Sequence, residues 1–165
     1  MTHGAGPEDG FGAPLRVVIV DDTPDLRDLL TMALQRRGEY AVVAEAENGL
    51  EAIDVVRAHQ PDLVLLDIAM PVMDGLEALP QIRQAATSAT VVMLSGFNAA
   101  EMTERAVALG ADGYVQKGTP IRQLLEQLRG HLERSAGRRG TSVPPPPAAG
   151  GQGLSTRAAL PVAED

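Results

Sequence analysis

Short apolar runs without polar–apolar alternation are the feature that most restricts the fold of this chain. Such runs lie at residues 15–20, 63–66 and 91–94, and a shorter one lies at 114–116. Runs of this length, rich in β-branched residues, are typical of strands buried on both faces, and such strands form parallel sheets. Helical patterns of apolar residues separate the runs. We therefore predict an α/β fold with a doubly wound parallel sheet and right-handed crossovers.

An oxygen- or nitrogen-bearing side chain follows each apolar run. In chain order these residues are Asp21 and Asp22, Asp67, Ser95 and Lys117. Parallel strands present their carboxyl ends along one edge of a sheet, and open α/β sheets bind ligands there. The sequence therefore predicts one crevice that holds three carboxylates, a hydroxyl and an ammonium group. Such a crevice suits a divalent cation and a phosphoryl group.

The composition excludes several classes of protein. With no cysteine, the chain has no disulfide, thiol nucleophile or thiolate metal site. No apolar run approaches the ~20 residues that cross a bilayer, and the first residues lack the pattern of a signal peptide, so we expect a cytoplasmic protein that does not enter membranes. A formal net charge of −8 and the lack of a basic stripe argue against direct nucleic-acid binding. The scattered histidines His3, His59 and His131 are predicted to face solvent.

Composition also divides the chain into three parts. Residues 1–14 are rich in Gly and Pro and are predicted to form a disordered leader. Residues 15–133 contain the strand–helix repeats and are predicted to form one domain. Residues 134–165 hold four consecutive prolines and no aromatic residue, so they bury too little surface to fold and are predicted to be a disordered tail. We expect no output domain.

Three residues have the character of helix N-caps. Thr23 precedes a proline, Asp74 precedes a glycine, and Asn98 stands three residues before Glu101, as in a capping box. Asp74 is therefore predicted to cap a helix and not to bind a metal ion.

The order of these residues carries a family resemblance. In sequence the chain contains Asp21-Asp22, Asp67-Ile68-Ala69-Met70-Pro71-Val72-Met73-Asp74-Gly75, Ser95-Gly96 and Tyr114-Val115-Gln116-Lys117. Over residues 15–133 the chain closely resembles the receiver (CheY-like) domain of bacterial two-component response regulators. The resemblance implies a flavodoxin-like (βα)5 fold with a five-stranded parallel sheet in the order 2-1-3-4-5.

The residue types of the crevice fit a magnesium site. Mg²⁺ prefers oxygen ligands, usually a few carboxylates together with waters and phosphate oxygens, and Mn²⁺ accepts similar ligands. Asp22 and Asp67 can supply direct ligands, and Asp21 can hold a metal-bound water. The backbone carbonyl of Ala69 can complete the ligands that the protein supplies.

The same crevice fits phosphoryl transfer. Asp67 is the predicted phosphoacceptor, because a carboxylate can form an aspartyl phosphate. Lys117 is predicted to neutralise the transferring group, and the Ser95 hydroxyl to bind a phosphate oxygen. The resemblance further implies a switch in which Ser95 moves toward the phosphate and Tyr114 turns inward, which reshapes the surface of the fourth helix, fifth strand and fifth helix.

The leading hypothesis is a stand-alone receiver that a histidine kinase or phosphotransfer protein phosphorylates on Asp67. It would signal to an unknown downstream protein through an altered protein-binding surface. It would catalyse its own phosphorylation and dephosphorylation without being a turnover enzyme. The first helix, the fifth helix, or the face formed by the fourth and fifth helices could each mediate a homodimer.

Two alternatives remain open. The first is a scaffold with the receiver fold that acts without phosphorylation, but such a module has no need of the acidic pair, Asp67, Ser95 and Lys117 together. The second is a magnesium-dependent phosphatase with an aspartyl-phosphate intermediate. Such enzymes usually carry a second acid where this chain has Ala69, and they need a cap for which the chain has no residues to spare.

Overall fold

Strands and helices alternate along the described part of the chain. The structure is a computed structural model, and it describes residues 12–96 and 99–140. The strands are β1 (Leu15–Val20), β2 (Tyr40–Ala46), β3 (Leu63–Asp67), β4 (Thr90–Ser95) and β5 (Gly113–Gln116). The helices are α1 (Pro24–Gln35), α2 (Gly49–His59), α3 (Gly75–Ala85), α4 (Ala99–Ala108) and α5 (Ile121–Gly140). Each strand predicted from an apolar run is present.

The five strands form one parallel sheet in the order β2-β1-β3-β4-β5. This confirms the predicted fold class and strand order. Asp67 at the end of β3 pairs in register with Leu94, and Ser95 at the end of β4 pairs with Gln116. The polar residues that follow the strands therefore lie along one edge of the sheet.

Both faces of the sheet are covered by helices, which explains why the strand sequences do not alternate. On one face, Val17 and Ile19 of β1 belong to an apolar cluster that includes buried residues of α1 and α5. On the other face, Val18 and Val20 belong to a cluster that includes buried residues of α2, α3 and α4. All four of these β1 side chains are fully buried. Burial of this kind is the main favourable contribution to folding and fixes the positions of the strand ends.

Side-chain caps begin two of the helices at this edge. Asn48 Oδ1 accepts a hydrogen bond from the backbone of Glu51 at 3.0 Å, and Asp74 Oδ1 accepts one from Glu77 at 2.8 Å. Asp74 is therefore a cap of α3, as predicted. The predicted cap Asn98 lies outside the described residues.

The start of α1 differs from the prediction. Thr23 occupies the N-cap position, but its side chain makes no capping hydrogen bond. Its backbone N–H instead donates to Asp21 Oδ1 at 2.8 Å. Asp21, two residues earlier, thus supplies the side-chain oxygen that holds this turn.

Helix α5 corrects the predicted end of the domain. It continues to Gly140, so residues 134–140 belong to the fold and not to a disordered tail. Ser135 is buried, and Arg139 Nη2 donates to Thr90 Oγ1 at 2.9 Å and to Ser135 Oγ at 2.8 Å. These polar side chains fix the helix to the start of β4, which composition alone does not reveal. The rest of the predicted tail and most of the predicted leader lie outside the described residues. Within the described part of the chain, none of the helices has both the length and the apolar character that a membrane span requires.

Candidate functional site

Three carboxylates converge at the carboxyl edge of the sheet. Asp21 and Asp22 follow β1, and Asp67 ends β3, the neighbouring strand. One carboxylate oxygen from each of the three residues lies within 4.8 Å of the other two. Asp21 and Asp67 are buried, whereas Asp22 is exposed. The structure thus brings together the three acids that the sequence predicted to share a crevice.

Lys117 lies between the two buried carboxylates. It follows β5, and its Nζ is 2.7 Å from Asp21 Oδ2 and 3.0 Å from Asp67 Oδ2. Its backbone N–H donates to the carbonyl of Ser95 at 2.8 Å, which fixes the start of the side chain. The sequence predicted Lys117 near Asp67, but its contact with Asp21 was not foreseen.

The two buried Oδ2 atoms retain capacity for a further ligand. Their distances to Lys117 are those of ion pairs, yet neither atom accepts a well-directed hydrogen bond from any described residue. Buried carboxylate oxygens normally have such a partner. Oxygen atoms with free lone pairs, grouped around one point, are the ligands that a hard divalent cation requires. The residues present therefore fit a magnesium ion.

Burial and charge shift the ionisation of this cluster. Burial, with the neighbouring charges of Asp21 and Asp22, raises the pKa of Asp67 to about 6, and Lys117 opposes the shift. Burial by itself would lower the pKa of Lys117, but the contacts with Asp21 and Asp67 outweigh it, and the Lys117 pKa is raised. Lys117 therefore keeps its positive charge. The ionised form of Asp67 is disfavoured, because its carboxylate is buried beside two other acids.

The loop after β3 is folded tightly against Asp67. Gly75 donates its N–H to the carbonyl of Ile68 at 2.8 Å. A Cβ at position 75 would collide with the backbone carbonyl of Asp67, so glycine is required there. Ala69 lies in this loop, two residues beyond Asp67, and is exposed. Its backbone carbonyl remains a proposed metal ligand.

Ser95 and Tyr114 lie on the next two strands. Ser95 is buried and directly follows Leu94, the register partner of Asp67. Tyr114 is half-buried, and its hydroxyl is 3.4 Å from the carbonyl of Ser95, a long hydrogen bond. The two predicted switch residues are thus in contact.

Arg27 is a member of the site that sequence reasoning missed. Its Nη1 donates to the backbone carbonyl of Asp21 at 2.5 Å, and its Nε pairs with Glu45 at 3.2 Å. A basic residue on the first turn of a helix that follows two aspartates was the signal that could have indicated it.

Two of the histidines are less exposed than predicted. His59 and His131 are both half-buried, and His3 lies outside the described residues. The His131 ring occupies the space that a Cβ on Gly113 would need. A glycine within a strand sequence is a signal of such close approach.

The sequence of the chain matches known proteins over the same region. Residues 17–129 match the Response regulator receiver domain. The chain is 39% identical to the chemotaxis protein CheY of Halobacterium salinarum, over 62% of this chain and 83% of that protein. It is 38% identical to CheY of Bacillus subtilis, over 68% and 93% of the two chains. A methylesterase/glutaminase of Rhodospirillum centenum is 37% identical over 93% of this chain, but the match spans only 43% of that protein.

Solved structures have the same fold. The signal receiver domain of NarL from Mycobacterium tuberculosis matches with a TM-score of 0.69 and 30% identity, over 74% of this chain and 98% of that one. A CheX–CheY–BeF3–Mg complex from Borrelia burgdorferi matches with a TM-score of 0.69 and 29% identity, over 72% and 90%. The chain therefore belongs to the receiver domain family of two-component response regulators and is CheY-like.

Proposed function

We propose that the protein is a phosphorylation-dependent receiver whose phosphoacceptor is Asp67. The observation that carries this proposal is the pairing of Lys117 Nζ with the buried oxygens of both Asp21 and Asp67, at 2.7 and 3.0 Å. This pairing supports the proposal, because a nucleophile at Asp67 would have a fixed positive charge and two further acids beside it. Phosphoryl transfer needs mainly positioning and charge neutralisation, and the site offers both.

In the proposed reaction, an Asp67 carboxylate oxygen attacks phosphorus. A P–O bond forms to Asp67 while the P–N bond of a donor phosphohistidine breaks, and the donor imidazole leaves. Lys117 pairs with the oxygens of the transferred group, and the Ser95 hydroxyl donates a hydrogen bond to one of them. Asp67 must be ionised for this attack, and positive charge that enters the site would favour the ionised form against the burial that raises the pKa of Asp67 to about 6.

A divalent cation is the proposed source of that charge. Asp22 and Asp67 would bind Mg²⁺ or Mn²⁺ directly, Asp21 through water, and Ala69 through its backbone carbonyl. When bound, the cation would neutralise the crowded carboxylates and the oxygens of the transferred group. The buried Oδ2 atoms of Asp21 and Asp67 support this assignment, because beyond the ion pairs with Lys117 they accept no hydrogen bond from the described residues.

The proposed output is a change in a protein-binding surface. Tyr114 already contacts the backbone of Ser95. A displacement of Ser95 toward a phosphate would therefore change the contact that the Tyr114 hydroxyl makes. This is a shift between two populated states that the phosphate biases. The partners would be a histidine kinase or phosphotransfer protein upstream and another protein downstream. The protein would act in the cytoplasm, without turnover of a separate substrate.

The experiment that tests the proposal is intact-mass measurement after incubation with acetyl phosphate and MgCl₂. We expect the gain of one phosphoryl group, absent when EDTA replaces MgCl₂ and absent in Asp67→Asn. Asp74→Asn is the matched control, because Asp74 caps α3, and it should still be phosphorylated.

The two alternative functions predict other results. If the protein is a scaffold that works without phosphorylation, neither the wild type nor either variant would gain mass with acetyl phosphate. A phosphatase would release inorganic phosphate catalytically from many donors, with no lasting mass increase. Either result would reject the proposed function.

A further inference from the structure

A cavity opens at the edge of the sheet where the strands begin, which is the edge opposite to Asp67. Leu15 and Tyr40, the first residues of β1 and β2, are register partners and form part of its wall. Leu132 and Ala136 of α5 form another part. The cavity volume is about 440 Å³, within the range of about 300–1,000 Å³ that is typical of small-molecule sites.

The apolar part of the wall belongs to the core. Tyr40 is buried in the apolar cluster that includes residues of α1 and α5, and the half-buried Leu15 and Leu132 pack against the same cluster. The wall formed by α5 is held in place, because Arg139 Nη2 donates to Thr90 Oγ1 at 2.9 Å. A molecule with an apolar body would therefore lose contact with water in this cavity and gain contact with packed side chains.

Tyr40 is a buried residue whose hydroxyl has no hydrogen-bond partner among the described residues. Only 6% of the residue is exposed, and buried tyrosine hydroxyls usually have a partner. Burial raises the pKa of Tyr40 and Glu39 acts in the same direction, while Arg129 and Arg37 oppose the shift. The hydroxyl therefore keeps its proton at neutral pH and can form a hydrogen bond with a molecule in the cavity.

The charged residues that line the cavity include more acids than bases. They are Glu39, Asp62 and Glu133 on one side of the balance and Arg129 and Arg139 on the other. Arg129 Nη2 bonds both carboxylate oxygens of Glu39, at 2.8 and 3.0 Å. Counted over the described lining residues, the balance is negative. A ligand with one positive charge complements it.

We propose that this cavity is a binding site for a small amine with an apolar body. The body would pack against Leu15 and Leu132, the ammonium group would lie toward Glu133, and the Tyr40 hydroxyl would gain the hydrogen bond that it lacks. Such a ligand would contact β1, β2 and α5 together. Because the cavity and Asp67 lie at opposite edges of the sheet, the inference goes beyond the proposed phosphoacceptor function and does not depend on it.

The experiment is a titration of the full, ¹⁵N-labelled chain with tryptamine, followed by NMR of the backbone amides at neutral pH. Tryptamine has an apolar indole ring and one ammonium group. Two related probes separate the contributions. Tryptophol has a hydroxyl in place of the ammonium group, and indole-3-acetate carries a negative charge instead.

Three variants test the three parts of the proposed site. Tyr40→Phe removes only the hydroxyl, Glu133→Gln removes one negative charge, and Ala136→Phe fills the cavity from an exposed position. Ala58→Phe, at an exposed alanine of α2, is the matched control for the larger side chain. Glu126→Gln, at an exposed glutamate of α5, is the matched control for the lost charge.

We expect tryptamine to bind with a dissociation constant of about 0.1–3 mM, the range for a ligand of this size. Tryptophol should bind more weakly, and indole-3-acetate more weakly still. Tyr40→Phe should weaken tryptamine binding about 2- to 10-fold, the effect of one hydrogen bond. Glu133→Gln should reduce the preference for tryptamine over tryptophol, and Ala136→Phe should abolish binding.

The controls and the stability of one variant separate binding from a structural effect. Ala58→Phe and Glu126→Gln should bind tryptamine as the wild type does. The melting temperature of Tyr40→Phe without tryptamine should not fall, because no described residue bonds the hydroxyl that it loses.

Several results would overturn the inference. These are the absence of saturable amide shifts up to about 10 mM tryptamine, equal affinity for the three probes, and wild-type affinity in Ala136→Phe. Binding that appears only after residues 1–11 are removed would also overturn it, since the chain itself would then fill the cavity. Labelling of Asp67 by acetyl phosphate is a separate measurement, so failure of the proposed function and failure of this inference remain distinguishable.

Discussion

Lys117 is the residue that balances the charge of the site. Its ammonium group contacts two buried carboxylates at once, and no other lysine or arginine is recorded in an ion pair with Asp21 or Asp67 within the described residues. Removing one partner of a buried ion pair is costly because the remaining charge stays out of water. At this site the remaining charges also repel each other.

We therefore expect Lys117→Met to be strongly destabilised in EDTA. The free energy of unfolding should fall by about 1–3 kcal/mol, below the full cost of breaking a buried pair because Lys117 is partly exposed. Millimolar MgCl₂ should stabilise the variant more than the wild type, since the cation replaces the missing positive charge. Urea denaturation at pH 7.5, with and without MgCl₂, measures both effects.

A double variant is the control for this charge argument. Lys117→Met with Asp67→Asn should recover part of the lost stability in EDTA, because one of the two repelling carboxylates has become neutral. If the double variant is less stable than Lys117→Met alone, packing of the lysine stem and not charge explains the loss.

Among the elements of the fold, the strands were predictable and the contacts between helices and strand ends were not. The run that became β3 is apolar and uninterrupted, so its burial on both faces followed from the sequence, and Asp67 at its end followed with it. The Asp21–Lys117 contact depends on how two non-adjacent strand ends are packed, which no local pattern encodes. His131 was predicted to be exposed because nothing in α5 reveals that Gly113 leaves room for its ring.

His131 is held in its neutral form where α5 crosses β5. Arg134 Nη2 lies 2.8 Å from His131 Nδ1, and because arginine can only donate, the ring nitrogen must accept. Burial lowers the pKa of His131, with Arg134 and Arg138 acting in the same direction. The backbone of Tyr114 and the carboxylate of Asp112 oppose the shift.

This contact predicts a pH dependence of stability. A histidine with a lowered pKa in the folded state contributes its full stability above the unfolded value of 6.5 and loses it as the pH falls below that value. Relative to His131→Asn, the wild type should therefore lose about 0.5–1 kcal/mol of unfolding free energy between about pH 7.5 and 5, the size of one net hydrogen bond. Chemical denaturation of both proteins across this range measures the difference between their free energies of unfolding. Asp67 is present in both proteins, so its titration cancels in that difference. A constant difference would contradict the prediction.

At the scale of the whole molecule, α5 runs from the carboxyl edge of the sheet to the opposite edge, where the strands begin. Its first turns follow the strand that leads to Lys117, and its last turns reach Thr90, where β4 begins. Arg138 adds a contact with Asp112 at 3.6 Å. The helix thus extends beyond the limit at residue 133 that composition suggested, because a few polar contacts, invisible in an average over residues, fix its end.

The position of that end can be measured by truncation. A protein ending after Gly140 should unfold with the same free energy as the full chain. One ending after Glu133 should lose about 1–3 kcal/mol, because it lacks the buried Ser135 and the hydrogen bonds of Arg139. Arg139→Ala in the full chain should account for part of that loss, whereas Arg36→Ala, at the exposed residue that follows α1, should not. Equal stability of the two truncated proteins would show that the last turns of α5 contribute nothing, and that the domain ends where its composition changes.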